Sequence, residues 1–217
     1  MTTIHRFLPK TVTKAVIFLH GVGANGPDLL GLSSFLKSAL PETVAYIAPD
    51  GFDPYDMLPL GMMPESYQWF SLKDRSEAAL ASELNRAASR FLRLFEDIRA
   101  DLNLSYSDIA LVGFSQGTML AINSALQLPS PIAGVVGFSG AFIPPERVVS
   151  HPPFCLIHGK DDEVIPSQAT QQAAQDLKQL GCSVDSFIDD HLVHSIDEKG
   201  IQRMIGYVSR WFDGHPS

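Results

Sequence analysis

Short apolar runs alternate with amphipathic stretches along this chain. Ala15 to Leu19 (AVIFL) is a continuous apolar run that stops at His20-Gly21, and Thr43 to Ala48 is a second that stops at Pro49-Asp50-Gly51. Ile109 to Val112, Val135 to Phe138 and Phe154 to Ile157 are further runs rich in β-branched and aromatic residues. Their length and composition predict buried strands. Ser183 to Ile188 alternates in polarity, which predicts a half-exposed edge strand. Between the runs lie helical periods. Residues 77–102 carry Leu80, Leu84, Ala88, Phe91, Phe95, Ile98 and Leu102 at spacings of three and four. Asp74, three residues before Glu77, is the expected N-cap of a capping box. Residues 167–180 form a second helix between Pro166 and Gly181, and residues 196–212 a third through Ile201, Met204, Ile205, Val208 and Trp211.

Buried strands alternating with amphipathic helices predict an α/β fold, with a mostly parallel central sheet covered by helices on both faces. Ligands of such sheets bind beyond the carboxyl ends of the strands, so chemistry is expected in the turns that follow them. The 217 residues show no internal repeat and no linker, and a single domain over 1–217 is expected. With 16 Lys and Arg against 24 Asp and Glu, the net charge of −8 disfavours binding to nucleic acid or an anionic membrane. No run reaches the ~20 apolar residues of a membrane-spanning helix, and the first residues lack the ~7–15-residue apolar core of a signal peptide. Two cysteines, Cys155 and Cys182, make neither a disulfide framework nor a metal-ligand cluster. A cytoplasmic protein without metal or stable membrane insertion is expected.

Residues 49–72 break the pattern. Four prolines and two glycines leave no period there, yet the segment carries Phe52, Tyr55, Met57, Leu58, Leu60, Met62, Met63, Tyr67, Trp69 and Phe70. A long irregular segment this apolar is expected to be functional. Flexible methionines and rigid aromatic walls suit an acyl chain, while an exposed part would also serve as a homodimer patch; sealing of the core is the competing reading.

Gly113-Phe114-Ser115-Gln116-Gly117 matches G-x-S-x-G. A strand precedes it and Thr118 to Leu126 follows as a helix, the strand-to-helix setting that a nucleophile elbow requires. Such a turn lifts the Ser115 hydroxyl above the sheet and aims the Gln116 N–H at a reacting carbonyl. Ser139, between Gly137-Phe138 and Gly140, also follows a strand, but Pro144-Pro145 comes next in place of a helix, so it reads as a structural turn.

A serine nucleophile in this architecture is followed along the chain by an acid and then a histidine. The acid is expected after Phe154 to Ile157, where Asp161 and Asp162 compete. The histidine is expected after the last strand, where His191 and His194 both qualify and the position of His194, directly before the final helix, is better defined. A second oxyanion donor is expected from the glycine-rich loop His20-Gly21-Val22-Gly23-Ala24-Asn25-Gly26, through the N–H of Val22. The same loop fits G-x-G-x-x-G, but Asp28 in the following helix would repel a phosphate.

Together, the early LHGVGANG loop, QWFSL, GFSQG, HGKDDEVIP and the late HxxHS resemble the phospholipase/carboxylesterase family that includes acyl-protein thioesterases, a branch of the α/β-hydrolases. The resemblance covers nearly the whole chain. Its HGxxDxxVP pattern implies Asp162 as the acid, and its histidine before the last helix implies His194, although His191 stands near the place of a family glycine. It also implies Val22 and Gln116 as oxyanion donors, Trp69 beside the substrate groove, and neither metal nor organic cofactor.

The expected activity is cleavage of carboxylic esters or thioesters through an acyl-enzyme on Ser115, with Leu58, Met62, Met63 and Trp69 as substrate-binding residues. A small-ester or lactone hydrolase without long-chain preference is the alternative. A non-catalytic small-molecule-binding protein of the same fold is a third reading.

Overall fold

The computed structural model describes residues 2–57 and 65–214. In chain order, the first strands and helices are β1 (Ile4–Phe7), β2 (Lys14–Leu19), α1 (Gly26–Leu30), α2 (Ser33–Lys37), β3 (Val44–Pro49), β4 (Asp53–Pro54) and β5 (Tyr67–Gln68). They are followed by α3 (Glu77–Asp101), β6 (Ile109–Phe114), α4 (Gln116–Ala125), β7 (Gly134–Phe138), β8 (Phe154–Gly159), α5 (Gln168–Gln179), β9 (Val184–Asp189) and α6 (Glu198–Phe212).

Seven strands form one sheet in the order β1-β3-β2-β6-β7-β8-β9. Every pairing is parallel except that of β1, which runs antiparallel to β3 with Ile4 opposite Pro49. Successive side chains of a strand face opposite ways, so each central strand feeds two cores. Ile17, Ile47, Leu111, Val135 and Leu156 pack with Leu84, Phe91 and Phe95 of α3, with Leu120 of α4 and with Leu177 of α5. Val16, Tyr46, Val112, Val136 and Ile157 pack with Leu29 of α1, Leu36 of α2 and Met204, Val208 and Trp211 of α6. Burial on both faces is why these strands read as unbroken apolar runs.

The expected strands and helices are present with small shifts at their ends. Strand β9 lies at the sheet edge, as its alternation implies. Three features differ. Strand β1 was not expected: its sequence, IHRF, is short and half-exposed and carries no apolar run. The irregular 49–72 segment contains a two-residue antiparallel pair, Asp53 opposite Gln68 and Pro54 opposite Tyr67. Finally, Asp74 is not the cap of α3. Its Oδ1 accepts the N–H of Ser76 at 2.9 Å, and Ser76 caps the helix by accepting the N–H of Ala79. The Asx turn at Asp74 delays the helix, and the hydroxyl two residues on takes the capping position.

Candidate active site

Ser115 stands between β6 and α4, at the carboxyl end of a central strand. Its backbone has φ 53° and ψ −117°, a conformation outside the usual regions for an L-residue. Such strain costs ~1–3 kcal/mol and persists only where the surroundings impose it. Here the N–H of Ser115 donates to the carbonyl of Phe138 at 2.8 Å, and its carbonyl accepts from Thr118 at 3.0 Å. The flanking glycines are steric requirements of the turn. A Cβ on Gly113 would lie 2.6 Å from the Thr118 nitrogen, and one on Gly117 only 1.9 Å from the carbonyl oxygen of Leu19. Helix α4 begins immediately at Gln116, two residues earlier than its apolar pattern implies. Gln116 is the first residue of α4, and the first-turn N–H groups of a helix have no intrahelical partner.

The histidine and acid come from neighbouring loops. His194 Nδ1 lies 2.7 Å from Asp162 Oδ2. The His194 ring packs against Phe114, the residue before the serine, with centroids 4.9 Å apart. The loops carrying the two residues are joined by backbone bonds, Lys160 N–H to Asp189 O at 2.8 Å and Asp161 N–H to Leu192 O at 3.0 Å. Gly159 makes that approach possible, because a Cβ there would lie 2.1 Å from the Leu192 carbonyl oxygen. The competing residues fall elsewhere. His191 is exposed, with φ 61°, and lies 3.8 Å from the exposed Asp161. Geometry therefore brings Asp162 to His194 and leaves Asp161 and His191 at the surface.

Asp162 is buried, yet its carboxyl is held below the usual carboxylate range. Burial pushes it up, but the N–H groups of Ile165 and Val164 and the His194 ring outweigh that push. Both amides donate to Oδ1, at 2.9 and 2.8 Å. A carboxylate held by several donors stays ionised and fixed in one orientation.

The glycine-rich loop after β2 is tied down on both sides of Val22. Gly23 N–H donates to Tyr67 O at 2.7 Å, Tyr67 N–H donates to Ala24 O at 2.9 Å, and the Ser66 hydroxyl donates to Gly23 O. The buried His20 ring bonds Gly21 O through Nδ1 at 2.7 Å and accepts the Gly51 N–H on Nε2 at 2.8 Å. Burial pushes His20 below its usual value, against the Gly21 bond and the charges of Asp50 and Asp28. The ring is thus neutral with its proton on Nδ1. Gly26 N–H donates to Asp50 Oδ1 at 2.8 Å, so a carboxylate already occupies the place that a phosphate would take on a G-x-G-x-x-G loop.

Trp69 does not present its indole to an open groove. The ring is 1% exposed and packs against Phe52 and Phe91, and its Nε1–H donates to His20 O at 2.8 Å. It supports the loop from beneath. Leu58, Met62 and Met63 lie outside the described residues. Ser139 is buried with φ 49° and donates its N–H to Ile157 O at 2.9 Å, consistent with a structural turn. Among the described residues no group of three or more His, Cys, Asp or Glu could hold a metal ion, and no helix is long and apolar enough to cross a membrane.

Sequence reasoning did not single out His158, Asp50, Ser66 or the side chain of Gln116. A visible signal existed for His158, a polar residue closing the apolar run of Phe154 to Ile157. The others are recognisable only once distant segments meet.

The Phospholipase/Carboxylesterase family model matches residues 9–212. Acyl-protein thioesterase 1 of Schizosaccharomyces pombe is 30% identical over 90% of this chain and 90% of its own length. A rice protein named as a probable inactive carboxylesterase is 28% identical over 93% of this chain and 84% of its own. Among solved structures, esterase PE8 superposes with a TM-score of 0.87 at 28% identity, covering 95% of this chain and 97% of that one. The sheet order, the strand-borne turns and these similarities agree: the fold is that of the α/β-hydrolases, and the chain belongs to the phospholipase/carboxylesterase family, whose named members include esterases and acyl-protein thioesterases.

Proposed function

We propose that this protein is a serine hydrolase of carboxylic esters or thioesters, acting through an acyl-enzyme on Ser115. The observation that carries the reading is the 2.7 Å bond between His194 and the buried, ionised Asp162, beside a serine held in strained turn geometry.

His194 Nε2 takes the Ser115 hydroxyl proton as the oxygen attacks the substrate carbonyl. Asp162 accepts from Nδ1–H, which leaves Nε2 as the base and stabilises the imidazolium that forms. The N–H groups of Val22 and Gln116 receive the oxyanion; one such donor is worth ~3 kcal/mol of barrier. The imidazolium then protonates the leaving alcohol or thiol. Water, deprotonated by His194, attacks the acyl-enzyme, and collapse returns Ser115 and releases the carboxylic acid. Ester and thioester pass through the same oxyanion, so the site accommodates both.

The acyl group is assigned to the segment containing Leu58, Met62 and Met63, which adjoins the residues that tie the oxyanion loop. A second reading is favoured by the inactive rice relative: a binding protein that keeps the fold without turnover. Hydrolysis of p-nitrophenyl esters from acetate to palmitate, by wild type and Ser115→Ala in parallel, separates these. Turnover by wild type alone supports the triad, and the chain-length optimum distinguishes acyl-lipid from small-ester substrates. Folded but equally inactive proteins that also fail to react with a fluorophosphonate favour the binding protein.

A further inference from the structure

We propose that His158 is a positioning residue for this reaction: its Nε2–H, bonded to the Ile165 carbonyl, also lies against Asp162 Oδ2, the same oxygen that receives His194, and restrains it. The inference rests on the triad reading above.

His158 is the penultimate residue of β8 and is fully buried. Its Nε2 lies 2.8 Å from the Ile165 carbonyl and 3.0 Å from Asp162 Oδ2. Both neighbours are acceptors, so this nitrogen carries the hydrogen. Burial pushes the ring below its usual value, against the pull of Ile165 and Asp162, and the ring is neutral. Nδ1 is then an acceptor. Thr170 of α5 places its hydroxyl 2.7 Å from Nδ1, with the Gly140 carbonyl at 3.3 Å as a second acceptor for the same hydrogen. Both ring nitrogens have a partner, and the two acceptors beside Nε2 place the hydrogen of the neutral ring there.

Asp162 is thereby held by three hydrogen bonds, two amides on Oδ1 and the His194 ring on Oδ2, with the His158 N–H as a further contact to Oδ2 at 3.0 Å. A carboxylate fixed at both oxygens has one orientation. Without His158, Oδ2 would be restrained, among the described residues, only by His194, the group it aligns. Burying a polar ring at the end of an apolar strand is unfavourable unless its bonds are used. The position would otherwise suit an apolar residue like its strand neighbours Leu156 and Ile157.

The test compares His158→Gln, which keeps an N–H near the Nε2 position, with His158→Phe, which keeps bulk without a donor. The Gln variant is expected to retain kcat within about threefold, and the Phe variant to lose roughly 30-fold in kcat with KM unchanged. Wild-type kcat in the Phe variant overturns the proposal, as do equal losses in both, because packing rather than the donor would then matter. Fluorophosphonate labelling of wild type and Ser115→Ala runs alongside: an unlabelled wild type overturns the triad reading and this proposal together, while a labelled one confines any failure to His158. If neither variant folds, multiple-bond proton–nitrogen NMR of histidine-labelled wild type decides, with the His158 ring assigned by its proximity to Thr170. A proton on Nε2 supports the proposal, and one on Nδ1 overturns it.

Discussion

The side-chain amide of Gln116 is paired with the backbone of Trp69: Oε1 accepts the Trp69 N–H at 2.8 Å, and Nε2 donates to the next carbonyl, Phe70, also at 2.8 Å. In the proposed mechanism, one residue would offer its backbone N–H to the reacting carbonyl while its side chain anchors the segment that braces the Val22 loop. Gln116→Leu removes both bonds and leaves two buried backbone groups unpaired, at ~1–3 kcal/mol each. We expect a lowered unfolding midpoint and a fall in kcat of roughly tenfold or more, because both donors lose their shared brace. Urea unfolding and steady-state kinetics check this; unchanged kcat with lowered stability would reduce the pairing to a structural role.

Trp69→Phe separates core support from substrate contact. The variant loses the bond to His20 O and part of the packing against Phe52 and Phe91. We expect a stability loss of ~1–3 kcal/mol with little change in the ratio of long-chain to acetate-ester turnover. Met62→Asp and Met63→Asp should do the reverse, weakening long-chain turnover more than acetate-ester turnover. Equal loss on both esters in those variants would remove the methionines from the acyl site.

Gly117→Ala is expected to be among the most damaging single-methyl changes in the chain. The new Cβ would stand 1.9 Å from the Leu19 carbonyl oxygen, a backbone atom of the neighbouring strand that cannot swing aside. We expect a loss of ~3 kcal/mol or more, or failure to fold. Gly31→Ala is the control: its nearest neighbour would be 3.5 Å away and its φ is −53°, so it should be neutral or nearly so.

Acid should destabilise the protein in two windows. His20 and His158 are both held below 6.5, chiefly by burial. Their contribution is complete above that value and declines as pH falls from it towards their folded values, because the unfolded chain binds more protons. Asp162 is held below 3.8, so its contribution is present above that value and is lost as pH falls through the folded one. Urea midpoints at pH 7.5, 6.0 and 5.0 should fall in wild type and fall less in His20→Gln. An identical fall in the variant would clear His20 of the effect.

The thiols should be silent in the native state. Burial pushes Cys155 up to about 12 and Cys182 up to about 11. A chromogenic disulfide reagent at pH 8 should react with neither until urea unfolds the chain, and should leave esterase activity intact. Rapid labelling of the native protein would contradict the burial of both residues.

The legible parts of the fold were those that a strand or helix declares by itself. Five central strands read clearly because both faces are buried, and α3, α5 and α6 because one face is. Strand β1 was hidden because an edge strand of four residues, half of them exposed, has no pattern to show. The G-x-S-x-G motif between a strand and a helix brought Ser115 forward, and the chain order then asked for an acid and a histidine, but the physics of the sequence left Asp161 beside Asp162 and favoured His194 over His191 by position alone. Only the meeting of two loops, permitted at Gly159, separates an exposed pair from a buried one. Trp69 and His158 were obscure for the same reason: their partners lie in other segments, or a helix turn away, and an apolar setting conceals what a polar atom does.

β8 and β9 pair at one edge of the sheet, and the loops after them carry Asp162 and His194, so both partners of the candidate triad follow the serine turn along the chain. A nascent chain that has already formed the serine turn holds neither Asp162 nor His194 in place until the two final loops join and α6 docks behind them. A chain ending before β9 would contain Ser115 and Asp162 but lack His194, and should show no ester turnover.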